Sequence, residues 1–265
     1  MRFFTDKNWQ SHVLKKCLKR ATGVLGGGRD TAFVEKIYTA HWRSSLSKKP
    51  RLGLRGNMKI LKLHEDFNKD SIWLVAHLIR SIGAASVLEL GSGNGLFSTA
   101  LKIINPHVEY HGIELTEEGV WVSRSLADTH MESLIYITEK SPQEIKDMLQ
   151  NPIPFKKGDM CRLPYADDAV DLVFTHIAIE QMPQTYPAAF REAHRVTRRY
   201  ACFIEEFREA QRNVFQRLSL WANDYFRASY QSLKEAGFAI LSFDVKEADK
   251  ASHSVGMVVC EKVKK

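Results

Sequence analysis

The feature that most limits the fold of this chain is a regular change of pattern that begins at Ser86. Apolar, β-rich runs recur at 86–90, 109–115, 170–176 and 200–207, with a weaker run near 154–157. Helical patterns separate them at 94–104, 116–129, 185–198 and 211–236, and the chain closes with two more β-rich runs, FAILSFDVKEA and SVGMVVCEKV. This alternation predicts an α/β fold with a mostly parallel, seven-stranded sheet, helices on both faces and an antiparallel C-terminal hairpin.

The N-terminal part has a different character. Residues 1–62 contain 15 Lys+Arg and 3 Asp+Glu, whereas the other residues contain 23 and 28. Helical patterns at 8–21 and 31–46 are followed by a loop at 47–57, and a glycine-rich joint lies near 23–30. Asp70 and Ser71 predict the cap of a further helix. We therefore expect a basic helical arm or lid at 1–70 and the main domain at 71–265.

A basic arm has several possible roles. It can bind nucleic acid, anionic lipid or a phosphorylated substrate, or it is simply a solvated face. The helix at 8–21 has an apolar stripe, which suits the surface of a membrane or packing on the protein itself. No apolar run reaches the roughly 18 residues of a membrane span. The four cysteines are far apart, so we expect free thiols, no metal site and a cytoplasmic location.

The stretch SVLELGSGNGLF carries the first chemical signal. Its glycines, Gly91, Gly93 and Gly95, follow an apolar run and precede a helical pattern. Dinucleotide sites use G-x-G-x-x-G, and here the third glycine comes one residue early. Glu89, just before the loop, would repel a pyrophosphate but can pair with an ammonium group. These residues predict a nucleoside ligand with a cationic tail and disfavour a dinucleotide oxidoreductase.

LELGSGNG resembles the first motif of the class I S-adenosylmethionine-dependent methyltransferases, which have a Rossmann-like sheet. Glu114, which ends the second strand in HGIEL, resembles the acid that binds the ribose hydroxyls in that family. KKGDMCRLPYADDAVDLVFTHIAIEQMP and FREAHRVTRRYACFIEEF resemble the family's later motifs. The resemblance covers about residues 72–262. It implies a methyltransferase that uses S-adenosylmethionine and releases S-adenosylhomocysteine.

The resemblance also implies roles for individual residues. Those expected at the cofactor are Glu89, Gly91, Ser92, Gly93, Gly95, Glu114, Leu115, Asp159, Met160 and His176. Asp159 would accept a hydrogen bond from the adenine amine, and Leu115 and Met160 would face the ring. The competing interpretation is that the strand-end acids cap the next helix and that the GD pair forms a turn.

Candidates for catalysis come at the ends of the fourth and fifth strands. His176 is expected either to remove a proton from a hydroxyl group or to hydrogen-bond the cofactor or the backbone. Glu205 and Glu206 should point to opposite faces, so one reaches the pocket or one caps the following helix. Tyr38, His41 and Trp42 either cover the pocket as a lid or pack within the arm.

The acceptor is expected to be a small or medium-sized metabolite, methylated on a hydroxyl oxygen, and either anionic or close to a membrane. A sugar, a lipid precursor or a secondary metabolite fits. The turn THIA differs from the [DN]-P-P-[YF] turn of nucleobase amine methyltransferases, and no Pro-Cys of the cytosine enzymes is present there, which disfavours nucleic acid. The alternatives are an RNA or protein methyltransferase that docks through the basic arm, and a non-catalytic cofactor-binding protein. A homodimer is compatible with the sequence.

Overall fold

A computed structural model describes residues 7–22, 30–47, 58–246 and 253–263. The joint predicted near 23–30 and the loop predicted at 47–57 fall almost entirely outside these ranges. Within the described residues, no helix is both long enough and apolar enough to cross a membrane.

Within the ranges just given, seven strands form one sheet. They are β1 (Ser86–Leu90), β2 (Glu109–Glu114), β3 (Phe155–Lys157), β4 (Val170–His176), β5 (Thr197–Glu205), β6 (Phe238–Lys246) and β7 (Val255–Lys262). Their order is β3-β2-β1-β4-β5-β7-β6. The first five strands pair in parallel, and β7 is antiparallel to both β5 and β6. The predicted sheet, with its antiparallel C-terminal hairpin, is confirmed.

Helices cover both faces of the sheet. They are α1 (Lys7–Ala21), α2 (Thr31–Ser47), α3 (Met58–Ile82), α4 (Leu96–Ile104), α5 (Glu117–Arg124), α6 (Leu126–Thr129), α7 (Met131–Thr138), α8 (Pro142–Met148), α9 (Tyr186–Val196), α10 (Val214–Asn223) and α11 (Ser232–Glu235). Because successive side chains of a strand point to opposite faces, Val87 packs in the core under α3 and α4, whereas Leu88 packs in the core under α9.

Two predicted helix boundaries are wrong. Asp70 and Ser71 do not cap a helix but lie inside α3, where the Ser71 hydroxyl donates to the Phe67 carbonyl at 3.0 Å. This bond to the preceding turn satisfies the hydroxyl within the helix. The start of a helix that was expected at residue 70 thus lies in the interior of α3. The pattern at 211–236 also contains two helices. Asp224, in the left-handed region at φ 56°, ends α10, and α11 begins at Ser232.

The register of the strands sets the position of the site. Leu90 at the end of β1 pairs with Ile113 of β2 on one side and with Thr175 of β4 on the other. The carboxyl ends of these three strands thus meet at one edge of the sheet. The order of the strands reverses between β1 and β4, and ligands of open α/β sheets bind beyond such a switch point.

Candidate active site

The glycine loop after β1 is held against β2. Gly91 N–H and Ser92 N–H both donate to the Ile113 carbonyl, at 2.8 and 2.9 Å. All three glycines have positive φ: 71° at Gly91, 55° at Gly93 and 76° at Gly95. Side chains other than glycine rarely adopt this conformation, which explains why the turn from strand to helix is so rich in glycine.

The three glycines face different surroundings. An added Cβ at Gly91 would come 2.5 Å from Ala178 Cβ, and one at Gly95 would come 2.7 Å from Ser123 Cβ. At Gly93 the nearest atom would be in the Trp42 ring, at 3.7 Å. Gly91 and Gly95 therefore serve close packing, whereas Gly93 presents bare backbone to an open space.

Glu89 is 3% exposed and is bonded to the helix that follows the loop. Its Oε2 accepts from Ser98 N at 3.2 Å and from Ser98 Oγ at 2.5 Å. Burial raises the pKa of the Glu89 carboxyl to about 8. Glu89 thus caps the first turn of α4, as the competing interpretation of the strand-end acids predicted. It also lines the cavity described below.

Glu114 connects the glycine loop with α5. Its Oε2 accepts from Gly93 N at 3.1 Å, and its Oε1 accepts from Thr116 N at 3.1 Å and Thr116 Oγ1 at 2.8 Å. Thr116 Oγ1 in turn caps α5 by accepting from Gly119 N. Burial raises the pKa of the Glu114 carboxyl. Carboxylate oxygens can accept several hydrogen bonds, so these contacts leave capacity for hydroxyl groups of a ligand.

Asp159 and Met160 follow β3. Asp159 Oδ1 accepts from Cys161 N at 2.8 Å, and the Asp159 carbonyl accepts from Arg162 N at 2.9 Å. The aspartate therefore forms the turn that the GD pair suggested, and it also faces the cavity. Met160 Cε would lie 3.0 Å from a Cβ at Gly91, which places this thioether beside the glycine loop.

His176 ends β4 in an aromatic environment. Its ring stacks on Phe97 of α4 with centroids 4.0 Å apart, and the Phe67 ring lies 6.0 Å away. Its Nε2 is buried and has no hydrogen-bond partner in the part of the chain that the structure describes. Burial, assisted by the positive charge of Lys246, lowers the pKa of the imidazole to about 3. His176 is therefore uncharged at neutral pH, and the residue lines the cavity described below.

Neither Glu205 nor Glu206 lines the cavity itself. Glu205 accepts from Ala178 N and Ile179 N, both at 3.1 Å, and so caps the short 3-10 turn Ile179–Gln181 after β4. Burial raises the pKa of this carboxyl to about 8. Glu206 Oε1 is 2.9 Å from His253 Nδ1. The structure therefore brings His176, but neither glutamate, to the cavity.

Helix α2 lies against the glycine loop and contributes one wall of the cavity. Tyr38 and Trp42 line it. His41 is exposed and contacts the other two rings from outside, with its centroid 4.7 Å from Trp42. Two ion pairs tie α2 to the body: Arg43 with Glu118 of α5 at 2.7 Å, and Glu35 with Lys157 of β3 at 2.8 Å.

These elements enclose a cavity of about 310 Å³ at the carboxyl ends of β1, β2 and β4. All the residues expected at the cofactor line it except Gly95, which instead packs against Ser123 and Phe155. Sequence reasoning missed Phe97, whose place one residue into the helix after the loop was an available signal. It also missed Asn68 and Met182, which come from other elements and carried no local signal.

The charge of the lining indicates the kind of ligand. Asp30, Glu89, Glu114 and Asp159 all line the cavity. The ionised carboxylates among these acids attract a cation and repel a phosphate group. Ser92 Oγ is a further buried polar atom, with no hydrogen-bond partner among the described residues. The backbone cradle at Gly93 and this acidic lining fit a nucleoside that carries a sulfonium and an ammonium group.

Comparison with known proteins agrees with this geometry. Residues 88–204, from β1 to β5, match the family model described as "Methyltransferase domain". None of the curated proteins matches the sequence. Magnesium protoporphyrin IX methyltransferase from Synechocystis PCC 6803, solved with bound SAH, is similar at 12% identity and TM-score 0.60 over 88% of this chain and 99% of that chain.

Two other solved structures share the fold. YcgJ from Bacillus subtilis has 16% identity and TM-score 0.55, over 74% of this chain and 99% of that chain. A SAM-dependent methyltransferase from Methanosarcina mazei has 15% identity and TM-score 0.53, over 68% and 93%. The family match over residues 88–204 identifies a methyltransferase domain in this chain, and its fold is shared with solved S-adenosylmethionine-dependent methyltransferases. Its methyl donor is S-adenosylmethionine, as the sequence predicted.

Proposed function

We propose that this enzyme methylates a hydroxyl oxygen on a small or medium-sized metabolite. The observation that carries the proposal is the part of the cavity at His176, whose buried Nε2 has no hydrogen-bond partner among the described residues. Phe97 stacks on this ring, and Asn68 of α3 also lines the cavity. An aromatic wall with two hydrogen-bonding side chains suits an alcohol or phenol. The cover formed by α2 favours an acceptor small enough to be enclosed.

Cofactor binding is assigned to the acids and the glycine loop. Glu114 would accept hydrogen bonds from the ribose hydroxyls, and Asp159 from the adenine amine, with Leu115 and Met160 on the faces of the ring. The bare backbone at Gly93 admits the homocysteine portion. When bound, S-adenosylmethionine supplies a methyl group activated by a positively charged sulfur.

We assign to His176 the role of removing the hydroxyl proton of the acceptor. Its Nε2 accepts the hydrogen bond of the hydroxyl, which points an oxygen lone pair toward the carbon to be attacked. The hydroxyl oxygen would take the methyl group that S-adenosylmethionine supplies and would lose its proton to Nε2. A protonated ether is a far stronger acid than imidazolium, so even an imidazole with a pKa of about 3 can take this proton. The same low pKa keeps the ring uncharged beside a sulfonium.

We also propose that the basic arm acts as a lid through α2. Val34, Tyr38 and Trp42 line the cavity, and the ion pairs of α2 with Glu118 and Lys157 hold it in place. Changing both acids of these pairs, with Glu35→Gln and Glu118→Gln, should speed the release of S-adenosylhomocysteine in stopped-flow measurements. An unchanged release rate would contradict the lid.

The test of the acceptor uses S-adenosylmethionine with a tritiated methyl group. The enzyme is incubated with the low-molecular-weight fraction of a cell extract and, separately, with its RNA and its protein. We expect label in the small-molecule fraction, in a product that resists mild base as an ether does and an ester does not. His176→Ala should reduce this labelling while S-adenosylhomocysteine still binds.

Other outcomes correspond to the alternatives. Label in RNA or protein would favour an enzyme that docks a macromolecule through its basic arm, and salt would then weaken binding steeply. No label in any fraction, with intact cofactor binding, would favour a non-catalytic cofactor-binding protein. A labelled amine in the small-molecule fraction would contradict the hydroxyl acceptor. The cytoplasmic location and a homodimer stay predictions.

A further inference from the structure

Helix α1 is attached to the body through one of its faces. Val13 is buried there at 3% exposure, and Cys17 Sγ donates to the Leu218 carbonyl of α10 at 3.7 Å. Arg20 pairs with Asp224 at 2.5 Å. These three α1 residues are spaced four and three apart, as expected for one side of a helix. The apolar stripe seen in the sequence is therefore used in part for packing against α10.

The neighbouring face of α1 is exposed to solvent. Leu14 and Leu18, one turn apart, are 53% and 66% exposed. Lys15 and Lys19, also one turn apart, are exposed beside them. No acidic residue occurs in the helix. Arg20 and Lys16 are held by contacts to α10, so the two leucines and the two lysines form an outward surface, which we call the α1 surface.

We propose that the α1 surface binds the surface of an anionic lipid bilayer. Leucine side chains can enter the boundary between headgroups and acyl chains while the adjacent lysines contact lipid phosphates. An RNA partner would account for the lysines but not for two exposed leucines. A second copy of α1 would cover the leucines but would bring lysines of like charge together. Of these three partners, the anionic membrane is the one that complements both features.

This inference does not depend on the hydroxyl acceptor. Among the described residues, those that line the cavity begin at Asp30, so α1 takes no part in cofactor binding. The helix that covers the cavity begins at Thr31, ten positions after α1 ends at Ala21. Binding through α1 would therefore hold the lid and the cavity near the lipid surface, where an apolar acceptor is concentrated.

The experiment is co-sedimentation of the full chain with lipid vesicles. One set of vesicles is phosphatidylcholine alone, and the other also contains phosphatidylglycerol. We expect binding to the anionic vesicles only, weakened by high salt because exposed charges are screened. An exposed lysine near an anionic surface contributes about a fivefold factor in affinity. Lys15→Gln with Lys19→Gln should therefore lower binding by roughly tenfold or more.

Two further variants make the result specific. Leu14→Ser with Leu18→Ser should also lower vesicle binding, although the charge is unchanged. Lys146→Gln with Lys234→Gln, which removes two exposed lysines elsewhere, should bind vesicles like the wild type. Calorimetry with S-adenosylhomocysteine should give equal affinities for all variants, which shows that they are folded.

Several results would overturn the proposal. These are the absence of binding to anionic vesicles at low salt, equal binding to phosphatidylcholine alone, and serine variants that bind like the wild type. If vesicles do not bind but the serine variants convert a dimer into a monomer in sedimentation velocity, the α1 surface is a contact between copies. If vesicles do not bind but an RNA homopolymer does, it is a nucleic-acid surface.

Discussion

Alanine substitutions in the glycine loop should affect the stability of the protein and its affinity for the cofactor differently. Alanine is introduced at Gly93 and Gly95 and, as a control, at Gly83. All three glycines have positive φ, at 55°, 76° and 64°. Each substitution therefore carries the same backbone strain, about 1–2 kcal/mol for an L-residue in the left-handed region. What differs is the space that the added methyl group enters.

At Gly83 no atom of the described residues, apart from its chain neighbours, lies within 4 Å of the added Cβ, so strain should be the whole effect. At Gly95 the Cβ would be 2.7 Å from Ser123 Cβ and 2.8 Å from Phe155 Cζ. Overpacking of this kind costs a further 1–3 kcal/mol or so, which gives a total loss of about 2–5 kcal/mol. At Gly93 the nearest atom is in Trp42 at 3.7 Å, so the stability loss should match that of Gly83→Ala.

The effects of these substitutions on S-adenosylhomocysteine binding should follow a different order from their effects on stability. The methyl group at Gly93 enters the space assigned to the cofactor, so Gly93→Ala should weaken S-adenosylhomocysteine binding by at least about tenfold, or about 1.4 kcal/mol. Gly83→Ala should bind like the wild type. Urea denaturation measures the free energy of unfolding and calorimetry measures the affinity. If Gly93→Ala binds normally, or loses as much stability as Gly95→Ala, the assignment of the open space is wrong.

Four more predictions concern three buried polar groups. Glu114→Ala should weaken S-adenosylhomocysteine binding by about 1.5–3 kcal/mol, as measured by calorimetry; unchanged affinity would remove its assigned role at the ribose. His176→Ala should lower kcat with little change in cofactor affinity, and a lost affinity would make it a binding residue. Because the pKa of His176 is lowered from 6.5 to about 3, the unfolded chain binds the extra proton between these values, and stability falls as pH falls through this window. His176→Phe should remove that slope, up to about 1.4 kcal/mol per pH unit. Glu205 has the opposite sign: its pKa is raised from 4.5 to about 8, so the folded chain holds the proton and stability falls as pH rises through that window. Urea denaturation of Glu205→Gln at several pH values should show this slope lost, and an unchanged slope would place the titration elsewhere.

Local sequence was sufficient for the sheet, and the resemblance of its motifs to a known family named residues that the structure places on the cavity. The period of the apolar residues predicts the strands and helices. The loop requires glycine because its backbone has positive φ. Glu114 ends β2 and Asp159 lies two residues after β3, so both could be located once the strands were predicted. For this reason the order of elements and most of the expected cofactor residues could be named from the chain itself.

Other properties depended on residues that are distant in sequence. The carboxylate of Glu205 caps a turn formed by Ala178 and Ile179, a contact between the ends of two neighbouring strands. α3 continues through Asp70, although local sequence indicated a cap there. Asn68 and Trp42 reach the cavity only because α3 and α2 pack beside the glycine loop.

The sequence by itself thus determined the α/β sheet, the glycine turn and the acids at the strand ends, since each depends on the conformational preferences of a few consecutive residues. Only the tertiary structure decided which side chains share the cavity, which acids are used as caps and which face of α1 is left exposed. Those outcomes depend on how separate elements pack, and the burial of a side chain is a property of its neighbours in space.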